Sequence, residues 1–233
     1  MLKPSLVILV LTLLHLSQSS IIDEAKAKLN NLYSLVLGNI QIAENDFSQY
    51  YTDLNVYGHN IYDLGKIEIE TIYGTVIKEI DQLEDLGHNA NVDVSSCTKG
   101  QKDVINKFRE LFENRVQVCI NGKIQEAASL LKGSKYNVDV TMNSVHRLDH
   151  DVNVCGDSIL CISPILTKIN LATISLPQQI KTEVNNARDL LQDLKVMVAE
   201  CRDNNVADFT SFVTSLVAII ANCVNKIIPK ILM

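Results

Sequence analysis

Between Ile22 and Leu86 apolar residues return every three or four positions, at Ala25, Leu29, Leu32, Val36, Ile40, Ala43 and Phe47, then at Tyr50, Leu54, Tyr57, Ile61 and Leu64. After one miss at Glu68 the stripe resumes with Ile72, Val76, Ile80 and Leu83. Steps of three and four keep those side chains on one face of an α-helix, whereas a strand would alternate at two. The stripe predicts one long helix or a helical hairpin over residues 20–89, with Gly58-His59-Asn60 as the hinge and Gly87-His88-Asn89 as the end. A coiled-coil partner would use the same face, so a dimer stays open, but packing on the chain's own helices is the reading adopted.

The rest of the chain repeats the pattern. From Lys102 a second stripe runs through Ile105, Phe108, Phe112, Val116, Cys119, Ile124 and Leu131, with Gly133 as its expected C-cap. Tyr136, Val138, Val140 and Met142 alternate with polar residues, which predicts an extended connector. A lone pair of strands is barely stable, so no sheet is expected there. Ser163-Pro164 reads as a helix start and Pro177 as a restart, followed by an amphipathic helix from Ile180 to Cys201. A turn at Arg202 to Asn205 then leads into an apolar helix from Asn205 to Leu232, expected to be the central rod because an all-round apolar helix needs neighbours on every side. Trp is absent, aromatics make up 5% and there are only 9 Gly and 4 Pro, all of which points away from a sandwich or barrel. The expected fold is all-α, an elongated helical bundle cross-linked by disulfides.

Lys3, the apolar run from Leu6 to Leu14 and the small residues at Ser17-Gln18-Ser19 form a secretory signal peptide over residues 1–19. Its apolar core is shorter than the roughly 20 residues that span a bilayer. Removing it takes away Lys3 and no acid, so the net charge of −6 becomes −7. An acidic surface without clustered Lys and Arg excludes nucleic acid and anionic membrane as natural partners. At the other end Lys226, Pro229 and Lys230 interrupt the apolar run, which argues against a membrane span or lipid-anchor signal. No Asn opens an Asn-x-Ser/Thr acceptor, so no N-linked sugar is expected.

Six cysteines behind a signal peptide imply three disulfides within residues 90–233, a six-cysteine helical domain. No Cys-x-x-Cys or neighbouring His supplies zinc-like spacing. Cys97 to Cys119 and Cys201 to Cys223 share one separation, 22 residues, about 33 Å along an ideal helix and nearly the same face. Two side-by-side helices can thus be bridged at two levels. With the helix that ends at Cys201 turning back into the rod, the expected pairing is Cys97 with Cys201, Cys119 with Cys223 and Cys155 with Cys161, one of 15 connectivities.

His146 and His150, with Asp149 and Asp151, stand at the spacing of metal ligands on one helix face, but lack the Glu and third ligand of a metalloprotease. A solvated turn is the reading adopted. No nucleophile elbow, phosphate loop or dinucleotide fingerprint is present, and the scattered carboxylates read as the wet faces of helices. No catalytic residue, metal site or cofactor is expected, and the chain is not read as an enzyme.

The order Cys97, Cys119, the close pair Cys155-Gly156-Asp157-Ser158-Ile159-Leu160-Cys161, then Cys201 and Cys223, in a helical secreted chain, resembles the insect TsetseEP-type domain over roughly residues 90 to 225. The resemblance implies an extracellular insect protein of gut, salivary or venom type, a family long of unknown function with no catalytic residue to carry over. The acidic repeat tails of some members have no counterpart before Met233. The close cysteine spacings of odorant-binding proteins are also missing.

Two functions follow as expectations. The first is a secreted interaction protein that binds an extracellular protein or a microbial or gut surface. The second is an extracellular carrier of a small hydrophobic molecule, with Phe108, Met197, Phe209 and Phe212 as its lining, in keeping with a hydrophobic content of 47%.

Overall fold

A computed structural model describes residues 4–156 and 158–228, with side chains described from Ile21 onward. The leader expected over residues 1–19 lies outside the residues whose side chains are described, as do Asp157, Pro229 and Lys230. The fold is all-α, with no strand among the described residues. Three long helices, α1 (Pro4–Asn89), α3 (Gln101–Cys155) and α4 (Ile159–Ile227), are joined by a short helix α2 (Ser95–Thr98) and a turn at Gly156. The chain forms two compact units that cut across the division expected at residue 89. Unit 1 takes residues 1–51 and 128–190, unit 2 takes 52–127 and 191–233, and each holds one segment of every long helix.

In unit 1, Lys135 pairs with Glu44 at 2.8 Å and the Tyr33 ring lies 6.2 Å from that of His146, so α3 runs antiparallel to α1. Lys28 donates to Asn170 at 3.1 Å and Asn137 to Glu183 at 3.3 Å, so α4 runs parallel to α1 and antiparallel to α3. Apart from Phe47 the buried stripes are mainly aliphatic: Leu32 and Val36 on α1, Val138 and Val145 on α3, Ile162 and Ile169 on α4. The connector expected at Tyr136 to Met142 is helix instead. Its buried positions are Ser134, Val138, Thr141 and Val145, a helical period carried partly by polar residues, while Tyr136 faces solvent. The Thr141 hydroxyl is satisfied by donating to the Val138 carbonyl at 2.6 Å. Gly133, expected to cap this helix, also lies inside α3.

Unit 2 repeats the same directions with different side chains. Lys102 pairs with Asp81 and Glu84 at 2.6 and 2.7 Å, and Arg109 with Glu70, aligning α3 antiparallel to α1. Phe108 stacks on Phe212 with centroids 3.9 Å apart, and Phe112 meets Phe209 at 5.7 Å, aligning α4 antiparallel to α3. The expected hinge at Gly58 is continuous helix. A Cβ there would sit 2.9 Å from the Ile124 side chain, so the glycine serves close helix packing rather than a bend. The end at Gly87-His88-Asn89 is where the stripe puts it. Asn91 takes the left-handed conformation (φ 50°), and Val92 N–H bonds to the Gly87 carbonyl at 2.8 Å while Asn91 N–H bonds to that of His88 at 3.0 Å, a Schellman closure.

The breaks expected within α4 are also absent. Pro164 and Pro177 are accommodated inside it, each removing one backbone bond from a helix held by the buried Ile165, Leu176 and Ile180 around them. The turn expected at Arg202 to Asn205 is helical because the buried stripe runs through it, from Val198 and Cys201 to Phe209 and Val213, and the Asn205 amide donates to the Cys201 carbonyl at 2.7 Å. The segment after it is not a surrounded rod. Phe209, Val213, Ile220 and Val224 are buried, but Phe212, Leu216 and Val217 are half-buried and Ile219 is exposed.

The expected long-range disulfide pairing is overturned. The bonds are Cys97–Cys223 and Cys119–Cys201, with Cα atoms 5.8 and 5.7 Å apart, while Cys155–Cys161 pairs as expected at 5.5 Å. Equal spacing of 22 residues fits both parallel and antiparallel helices. Because α4 passes straight through Cys201, it lies antiparallel to α3, and the rungs nest: first with last, second with third.

Candidate functional site

The places open to carry chemistry or binding divide between the units. His146 and His150 lie exposed on α3 in unit 1, on the same side of the helix as Asp149. Asp149 accepts from Asn153 at 3.3 Å, and Asp151 faces Lys168 at 4.0 Å. Among the described residues no group of three or more His, Cys, Asp or Glu could hold a metal ion.

Unit 2 holds a charged cluster around Arg109. Its guanidinium contacts Glu70, stands 3.7 Å from Glu110 and 4.0 Å from Glu113, and lies over the Tyr73 ring at 5.1 Å. The Arg109 Nε and Glu113 Oε1 atoms are buried without a hydrogen-bond partner. Burial raises the Glu113 carboxyl above its ordinary range, and the neighbouring Arg109 only partly offsets that. Nearby, hydrogen bonds to Asp81 and Glu84 push the Lys102 ammonium up to about 12. Every member sits on a packed seam between α1 and α3, so the cluster reads as structural.

Among the described residues, the rings expected to line a carrier cavity pack against one another instead. Phe108, Phe209 and Phe212 pack into the aromatic cluster with Phe112, and Met197 is exposed. Open grooves exist elsewhere. In unit 2 a groove of about 350 Å³ of mixed character runs over Gly58, His59, Tyr62 and Asp63 opposite Ile120, Asn121 and Ile124.

Unit 1 carries two apolar-floored grooves. One, of about 260 Å³, lies between α1 at Ile42 and Ala43 and α4 at Pro177, Ile180 and Val184. The other, of about 350 Å³, has Glu44, Phe47, Ser48 and Tyr51 on its α1 wall and Ala128, Leu131, Lys132 and Lys135 on its α3 wall. Both walls follow the i, i+3, i+4, i+7 rule, so each presents one continuous helix face. Phe47 and Leu131 are buried beneath it, and the small Ser48 and Ala128 leave the space. Neither lysine stands out in the sequence, because two lysines three apart on a helix look like an ordinary wet face. The available signal was the matched spacing of the two walls with a small residue in each.

Unit 1 also exposes apolar residues on α4. Helix α4 contains an 18-residue stretch of mean hydropathy 1.7 of which only 22% is buried, long and apolar enough by composition to cross a membrane. Residues 159–176 have this character: Lys168 is their one charge, Ile162, Ile165, Ile169 and Leu176 are buried, and Leu160, Leu171 and Ile174 face outward, Leu160 at 91% exposure. This exposed face lies on a helix whose opposite side already carries a buried stripe.

No family model, no curated protein and no solved structure matches the chain.

Proposed function

We propose that this is a secreted, disulfide-stabilised helical interaction protein that binds an extracellular protein or a microbial or gut surface through the outer face of α4. The observation that carries the reading is the apolar stretch of α4 with 22% of its length buried. Its outward residues Leu171 and Ile174 stand three apart, so they form one patch on one helix face. A buried stripe on the opposite side and the charge of Lys168 favour a docking face over a membrane span.

Secretion is supported by two features. Three disulfides leave no free cysteine, as in proteins of oxidising compartments. In unit 1 the pairings of Lys28 with Asn170 and Tyr33 with His146 put the turn at Gly156 level with roughly residue 20 of α1 at equal rise per residue. Among the residues whose side chains are described, burial on α1 begins there with Ile22 and Ala25, just after the leader read over residues 1–19. The cysteine order resembling the TsetseEP-type domain supports an insect setting of gut, salivary or venom type.

The test is cross-linking in native fluid with the secreted chain and with a Leu160→Ser, Leu171→Ser, Ile174→Ser variant. A partner captured by the parent and lost by the variant is the expected result. Recovery of no partner, or equal recovery by both, would end the reading.

A further inference from the structure

We infer that the groove between Glu44–Tyr51 and Ala128–Lys135 in unit 1 is a binding site for a small amphipathic monoanion, a single-chain carboxylate of medium length. The inference is independent of the partner face on α4. Three features of the groove converge on that chemistry.

First, the floor is apolar. Phe47 and Leu131 close it from below and the Tyr51 ring bounds one end, so an alkyl chain laid along the groove exchanges water for hydrocarbon contact. Second, the space exists because Ser48 and Ala128 are small, and at about 350 Å³ it falls in the range of small-molecule sites, roughly 300 to 1,000 Å³. Third, the charge at the other end is positive in an acidic chain. Lys135 is neutralised by Glu44 at 2.8 Å, whereas among the described residues the Lys132 ammonium has no ion pair or side-chain hydrogen bond. Within the groove lining two cations stand against one carboxylate, a positive end that suits one carboxylate headgroup and offers a neutral or cationic amphiphile contact with the floor but no charge partner.

The chain's antiparallel register fixes how such a molecule lies. Glu44 is level with Lys135, so by helix spacing Phe47 is level with Lys132 and Tyr51 with Ala128. The headgroup belongs at Lys132, beside Phe47 and one turn from the Lys135–Glu44 pair. The chain then runs over Ser48 and Leu131 toward Tyr51. Lys132 is here a specificity residue: it selects the anion, while the floor supplies contact without selecting.

The test uses the full secreted chain with its disulfides intact, titrated calorimetrically with decanoate and, separately, with decanol at neutral pH. Saturable one-to-one binding of decanoate is expected, with decanol weaker. Lys132→Gln is expected to weaken decanoate about tenfold, the loss of one partly exposed charge-assisted contact, and to leave decanol unchanged. Ala128 is exposed, so Ala128→Leu adds bulk to the groove without touching the core and is expected to abolish binding of both probes while circular dichroism stays helical. Absence of saturable decanoate binding would overturn the inference. So would parental affinity in Ala128→Leu, or a Lys132→Gln variant that treats decanoate and decanol as the parent does.

Discussion

The two units use the same three helices in the same directions, yet are held by different means. Unit 2 has two long-range disulfides, an aromatic cluster of Phe108, Phe112, Phe209 and Phe212, and arginines embedded among carboxylates. Unit 1 has one disulfide that closes a separation of 6 residues, a mainly aliphatic core that admits Phe47, Ser134 and Thr141, and both prolines of α4. The outward apolar residues Leu160, Leu171 and Ile174 of α4 and the groove of about 350 Å³ also belong to unit 1. The contrast teaches that one three-helix arrangement can be held in two ways: long-range cross-links and stacked rings concentrate in unit 2, while unit 1 relies on packed side chains, although both units keep apolar residues in solvent.

The widest test of this contrast is removal of the cross-links. The long-range bonds close separations of 126 and 82 residues, each worth on the order of 4 to 5 kcal/mol in the chain-entropy relation, against about 2 for the short one. Because the rungs nest, losing one leaves the other to restrain much of the same loop, so the double loss exceeds either single loss. Replacing both long-range pairs with serine is expected to cost several kcal/mol in denaturant unfolding, and Cys155→Ser with Cys161→Ser clearly less. Equal costs would break the contrast. A non-reduced peptide map joining Cys97 to Cys223 and Cys119 to Cys201 checks the connectivity itself.

Next in size is the aromatic cluster. Phe209 is fully buried, so Phe209→Ala is expected to cost about 3 to 5 kcal/mol. Hydrogen exchange should then show amides of 101–127 and 191–227 losing protection that exceeds that of unit 1 in the parent.

Glycines sharpen the comparison through opposite signs. In unit 1 nothing lies within 4 Å of a Cβ at Gly133, so Gly133→Ala is expected to stabilise by roughly 0.5 to 1 kcal/mol, the ordinary gain of Ala over Gly in a helix. In unit 2 a Cβ at Gly87 would meet Val94 carbons at 2.6 and 2.8 Å and the Val92 carbonyl at 3.0 Å. Gly87→Ala is expected to destabilise by about 1 to 3 kcal/mol. Thermal midpoints that move in one direction for both would contradict this.

The smallest effect is a pH dependence confined to unit 2. Burial raises the Glu113 carboxyl above 4.5, so the folded state favours its protonated form. Relative to Glu113→Gln, the parent is expected to be most stable below pH 4.5, to lose that advantage as pH rises from there through the raised folded pKa, and to change no further above it. Urea midpoints of both proteins across that window measure the difference. A parallel pair of curves would mean that Glu113 is not the group responsible.

Helix content and helix faces were legible in the residues alone. Periodic Leu29, Leu32, Val36 and Ile40 need only the local repeat of a helix to reveal their common face, and Gly87-His88-Asn89 carries its own stop. The six cysteines likewise announced three bonds. What local pattern misled were the interruptions: prolines, a run alternating through Tyr136 and Val138, and polar Arg202 to Asn205 all look like breaks. A helix tolerates each where its buried stripe continues on either side, and burial is a property of neighbours far along the chain. The pairing of cysteines depended on helix direction, which equal spacing leaves undetermined. The groove at Lys132 and the bare face at Leu171 and Ile174 exist because α1, α3 and α4 meet along one side each. Sequence fixes which residues share a helix face, since that follows from 3.6 residues per turn. Which of those faces is covered, and which is left to a ligand or partner, is decided only when distant segments pack.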